Sequence, residues 1–129
     1  MNRIFLSLIV SAILIGCGKN EEKKESLYPE TELSAADKQL ARGKELFEGG
    51  GNCVACHRPD QKIIGPSIIE IAKIYKDQNG DIVAFLKEKA DPIVDPSQYS
   101  VMKANFAITK KMPEEDLKAL EAYMYSFLK

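Results

Sequence analysis

The chain has 129 residues, with 18 Lys and Arg against 19 Asp and Glu and a formal charge of −1, a size that allows one domain plus its termini. That balance, with no dense block of Lys and Arg, excludes a phosphate-binding stripe and so gives no reason to expect a nucleic-acid partner. At 45% hydrophobic residues and no Trp the composition is that of a globular chain. Function must therefore be read from particular residues.

The chain opens with a positive start at Arg3 and an apolar run over Ile4–Ile15 broken only by Ser7 and Ser11. The run is shorter than the ~20 residues a membrane span needs but suits the core of a secretory signal. It ends in Leu14-Ile15-Gly16-Cys17, which resembles the bacterial lipoprotein box. The resemblance implies a signal peptide over 1–16, a lipid on Cys17 and cleavage just before it. A plain signal peptide with an incidental Cys is the alternative. Multiple acyl chains would hold Cys17 at a membrane, since each buried CH₂ contributes about 0.8 kcal/mol. Gly18–Thr31 is mostly Lys, Glu, Asn and Ser. It cannot bury enough surface to offset its ordering entropy and reads as a tether within 17–32. This places the protein on the export side of a bacterial membrane, facing the periplasm or the exterior.

A folded domain is expected over 33–129. Ser34, with Asp37 three residues on, caps a first helix. Ala36, Leu40, Gly43, Leu46 and Phe47 share one face of it, and Gly49-Gly50-Gly51 ends it. A second helix is predicted over Pro66–Tyr75, with Ile68, Ile69, Ala72 and Tyr75 inward and Pro66 in its first turn. A third spans Asp81–Lys89, with Ile82, Phe85 and Leu86 inward. Asp91–Thr109 reads as irregular because of Pro92 and Pro96. The last helix starts at Pro113 with Glu114, Glu115 and Asp116 at the positive end of its dipole. It runs to Leu128, burying Leu117, Leu120, Tyr123, Met124 and Phe127. No segment alternates as a strand does. The expectation is all-α, about four helices, with a core thin enough that a large apolar cofactor at its centre would help the fold.

Cys53-Val54-Ala55-Cys56-His57 is C-x-x-C-H, the haem attachment signature. Two thiols three positions apart reach the two vinyl groups of one porphyrin, and the next residue is carried under the iron. Zinc would require a fourth ligand that the chain does not offer nearby. A thioredoxin-like pair requires a βαβ context that is not visible. A structural disulfide would leave His57 unexplained.

With these residues the chain resembles the class I c-type cytochromes, particularly the small bacterial monohaem carriers, over Leu33–Leu128. The resemblance implies a cytochrome c fold around one haem c, covalent through Cys53 and Cys56 with His57 on the iron. Gly43 and Phe47 resemble the family's pair that crosses the last helix near Leu120 and Tyr123. Gly65-Pro66-Ser67 resembles the segment whose Pro carbonyl accepts the proximal His N–H. With no second His, a Met sulfur is the expected distal ligand. Met102 fits the family's loop position, Met112 is the alternative, and Met124 reads as core filling. Met102 is followed by Lys103-Ala104-Asn105 rather than by the Pro frequent in the family. Asn105 is a candidate donor to the Met sulfur and Tyr99 a candidate for a haem propionate. Lys103, Lys110 and Lys111 read as a solvated face or as a docking rim. The function implied is electron transfer in a respiratory chain between redox proteins, a terminal oxidase or reductase among them, without turnover of its own. The alternatives are a haem gas sensor or small peroxidase with an open distal site, and a fixed cytochrome subunit of an oxidase.

Overall fold

The computed structural model describes residues 33–128. Cys17 and the segments expected to be a signal and a tether lie outside the described residues. The elements in chain order are α1 (Ala35–Glu48), a 3₁₀ turn (Cys53–Ala55), α2 (Ile68–Asp77) and α3 (Ile82–Leu86). A second 3₁₀ turn (Pro96–Gln98), α4 (Tyr99–Met102), a third 3₁₀ turn (Lys103–Asn105), α5 (Phe106–Thr109) and α6 (Glu114–Tyr125) follow. Among the described residues there is no strand, only an isolated bridge between His57 and Lys62. No described helix is long and apolar enough to cross a membrane.

Helix starts follow side-chain chemistry. Ser34, Ser67 and Asp81 each accept a backbone N–H at the third residue of the helix that follows, satisfying a donor with no partner inside the helix. Ser67 takes the cap of α2, so Pro66 stands before that helix rather than in its first turn. Asp81 likewise precedes α3, which closes at Leu86, shorter than the Asp81–Lys89 expectation. The chain leaves it through Glu88 in the left-handed region, at φ 57°.

α1 and α6 form the most extensive helix pair. A Cβ at Gly43 would fall onto the Ala119 carbonyl and lie 2.7 Å from Tyr123 Cβ, so only glycine permits this approach. One turn on, Phe47 tilts against Tyr123 with ring centroids 5.6 Å apart. Arg42 grips Asp116 with two bonds of 2.8 Å, tying α1 to the first turn of α6. The core joins Leu46 and Phe47 of α1, Ile68 and Tyr75 of α2, Ile82 and Leu86 of α3, and Leu117 and Leu120 of α6. Fully burying each large aliphatic or aromatic side chain contributes about 1.5–3 kcal/mol.

Four expectations need correction. Ile69 is 38% exposed, because Ile68 occupies the inward position and its neighbour turns about 100° away. Ala36 is exposed and Leu40 only half-buried, since the start of α1 extends beyond the core. α6 stops at Tyr125, leaving Phe127 beyond it and half-buried with Tyr123. The segment expected to be irregular winds from Pro96 to Thr109 into short helical turns. Their packing against α3, rather than their own periodicity, holds them: Phe106 meets Phe85 edge-on at 5.3 Å.

Candidate haem-binding site

After α1 the chain reverses through Gly49–Gly51, and Asn52 takes the left-handed conformation at φ 53°. The 3₁₀ turn follows, with the Cys56 and His57 amides both donating to the Cys53 carbonyl, at 3.1 and 3.0 Å. This winding brings Cys53, Cys56 and His57 to one cavity wall. Arg58 closes the turn by donating to the Val54 carbonyl. The two cysteines are half-buried and are not joined to each other, and before any attachment burial pushes the Cys53 thiol up to about 11.

The His57 ring is held by the loop that follows. Its Nδ1 donates to the Pro66 carbonyl at 2.7 Å. A carbonyl can only accept, so the proton sits on Nδ1 and Nε2 keeps its lone pair. Burial holds the His57 pKa below the ordinary histidine value, against the opposing effect of that hydrogen bond. The neutral ring is the form that binds a metal. The Gly65 amide donates to the Cys56 carbonyl at 2.8 Å, drawing the loop back over the turn. A Cβ at Gly65 would fall onto the imidazole, 2.8 Å from Nδ1.

The cavity has a volume of about 270 Å³ and mainly apolar walls. Besides the Cys–His turn, Gly65, Pro66, Tyr99, Met102 and Asn105 line it. So does Met124, from α6, whereas Met112 is not on its wall and packs against the core. Asn105 uses one donor of its side-chain amide on the Gly51 carbonyl, at 3.1 Å. This bond ties the distal segment to the turn that presents Cys53. The Tyr99 ring packs on Phe85 and Phe106, with the Lys103 ammonium 5.4 Å from its centroid. Lys103 and Lys110 both pair with Glu88, at 3.2 and 2.6 Å.

These walls suit a flat, largely apolar group that carries its own metal. Two thiols stand beside a neutral imidazole whose metal-binding nitrogen is free of hydrogen bonds. One wall residue supplies a further sign. The Tyr75 hydroxyl is buried with no hydrogen-bond partner, although its ring lines the cavity. Periodicity marked Tyr75 as core, and no sequence signal could show that its hydroxyl is left unpaired.

The family model for cytochrome c matches residues 40–127. The chain belongs to the cytochrome c family. Comparison with curated proteins returns no match. As a cytochrome c the protein carries covalently attached haem c, and Cys53, Cys56 and His57 fit that attachment. Its general chemistry is haem-based electron transfer. The helical architecture described above is the cytochrome c fold.

Proposed function

We propose that this cytochrome c is a single-haem electron carrier in which His57 and Met102 are the two axial ligands. The observation that carries the reading is that His57 and Met102 line one cavity, while Met112 does not and Met124, which does, is buried in the core as part of α6. When bound, the haem supplies one-electron exchange between Fe(III) and Fe(II). The chain's residues hold it and set its surroundings: Cys53 and Cys56 tether it and Pro66 orients the imidazole. Met102 closes the distal side. A sulfur ligand in an apolar cavity favours a high potential. Were His57 and Met102 both to hold the metal, no position would be left for a substrate, as a carrier requires and a sensor or peroxidase does not.

The carrier works, in this reading, from a bacterial membrane. The motif ending in Cys17 and the polar stretch 18–31 support a lipid anchor and a tether, with the domain facing the periplasm or exterior. As a flexible tether, those fourteen residues would have an r.m.s. reach of about 20 Å. That reach suits exchange between membrane-bound redox partners of a respiratory chain, with a terminal oxidase or reductase as acceptor.

The test is the absorption spectrum of the holoprotein, oxidised and reduced, with and without carbon monoxide. The carrier predicts a low-spin oxidised spectrum with a sulfur-to-iron charge-transfer band, and a reduced spectrum that carbon monoxide leaves unchanged. A high-spin spectrum, ready carbon monoxide binding or a strongly negative potential would replace it with the open-site reading.

A further inference from the structure

The segment that brings Met102 to the cavity is built from turns too short to hold themselves. α4 and α5 have four residues each, joined by a three-residue 3₁₀ turn. A helix of one turn is unstable alone, so its position must come from what it packs against. Near Met102 one polar attachment is the Asn105 bond to Gly51. The far end of the segment is fastened differently. Thr109 is fully buried, and its Oγ1 donates to the Leu86 carbonyl at 2.6 Å. That carbonyl stands at the end of α3, in a residue only 6% exposed. Phe106, also buried, meets Phe85 of the same helix. Glu88, just past α3, takes Lys103 and Lys110 on its two carboxylate oxygens. The C-terminus of α3 thus clasps the distal segment with an aromatic contact, a surface ion pair network and one buried hydrogen bond.

The last of these has the greatest weight. Exposed ion pairs contribute little, whereas a buried carbonyl that loses its donor bears the full desolvation penalty. We propose that Thr109 is a positioning residue for the distal ligand. Its hydrogen bond to Leu86 fixes α5 on α3 and thereby holds Met102 over the cavity. The inference rests on Met102 as that ligand. Thr109 does not itself line the cavity, and it acts through Leu86 and the segment that joins it to Met102.

The test uses the holoprotein and three variants. Thr109→Val keeps the shape and removes the hydroxyl, and Thr109→Ser keeps the hydroxyl. Gly43→Ala disturbs the α1–α6 crossing, away from α3. Carbon monoxide binding to the reduced protein reads how often the distal ligand leaves, and urea unfolding reads global stability. Thr109→Val is expected to bind carbon monoxide about tenfold faster than the parent, as loss of one hydrogen bond raises the open fraction. Thr109→Ser should stay near the parent. Gly43→Ala should lower the urea midpoint and leave carbon monoxide binding alone. Should Thr109→Val yield no holoprotein, Thr109→Cys, whose thiol is a weaker donor, tests the same bond, with a smaller rise in the same direction. Parental carbon monoxide binding in Thr109→Val, or in Thr109→Cys where it stands in, would overturn the proposal. An equal rise in Gly43→Ala would do so too, since the effect would then follow stability alone. A parent protein that lacks the charge-transfer band would instead defeat the ligand assignment on which the proposal stands.

Discussion

At position 65 the missing side chain lets the backbone lie against the His57 imidazole, and the next carbonyl then accepts the Nδ1 proton. A methyl group there must push the ring aside, and with it the direction in which Nε2 points. Gly65→Ala is therefore expected to lower the yield of covalently bound haem about tenfold, the range typical of lost support around a metal ligand. The holoprotein that remains should show a larger high-spin fraction. Haem content per protein, with the oxidised spectrum, checks this; parental yield with a low-spin spectrum would refute it. The Gly65–Pro66 pair was readable through its resemblance to the family's segment at that distance after C-x-x-C-H. The Asn105 bond to Gly51 and the Thr109 bond to Leu86 were not. They join residues 54 and 23 positions apart in polar pairs that no local pattern announces.

Among the elements, the α1–α6 crossing depends on backbones touching at Gly43 and Ala119. Gly43→Ala should cost about 1–3 kcal/mol, as overpacking does where the neighbour is backbone and cannot rotate away. Urea unfolding of the holoprotein measures it, and an unchanged midpoint would contradict the close approach. The ion pairs between elements give a second prediction. Glu114 is held down to about 2 by Lys118 and then Lys87. Glu88 is lowered by Lys110 and Lys103, and Asp116 by Arg42. Acids whose folded pKa lies below the unfolded value stabilise fully above the latter and lose that contribution as pH falls through the folded one. The stabilisation from these pairs should thus be complete above about pH 4.5 and be lost toward pH 2. Because these groups face solvent, added salt should flatten the decline. A urea midpoint that holds constant down to pH 2.5 at low salt would count against these pairs. Helix starts were legible where a side chain caps the backbone, as at Ser34. The turns from Pro96 to Thr109 were not, since four-residue pieces carry no measurable period and take their shape from α3 and the cavity.

For the whole molecule, the helices enclose a cavity whose apolar wall is continuous with the core. Tyr75, Ile82, Phe85, Leu86 and Leu120 all belong to both. A domain of this size is marginal on its own side chains, and a group that binds only the folded state stabilises it by mass action. The variant with Cys53→Ser and Cys56→Ser, made without covalent haem, should keep part of its far-UV helical signal. It should lose near-UV signal and a cooperative unfolding transition, the marks of a loosely packed state. A haem-free chain that unfolds as sharply as the holoprotein would show that the core suffices alone. The architecture and the attachment residues were legible because thioether spacing and helical periodicity are both local. Which methionine reaches the cavity depends on how the whole chain folds around it.

The most direct measurement on the central claim compares the oxidised spectra of Met102→Ala and Met112→Ala holoproteins beside the parent. Ligation by Met102 predicts that the sulfur-to-iron band is present in the parent and in Met112→Ala. In Met102→Ala it should be lost, with carbon monoxide then binding readily to the reduced form. Survival of the band in Met102→Ala, or its loss in Met112→Ala alone, would contradict the assignment of Met102 as the ligand opposite His57.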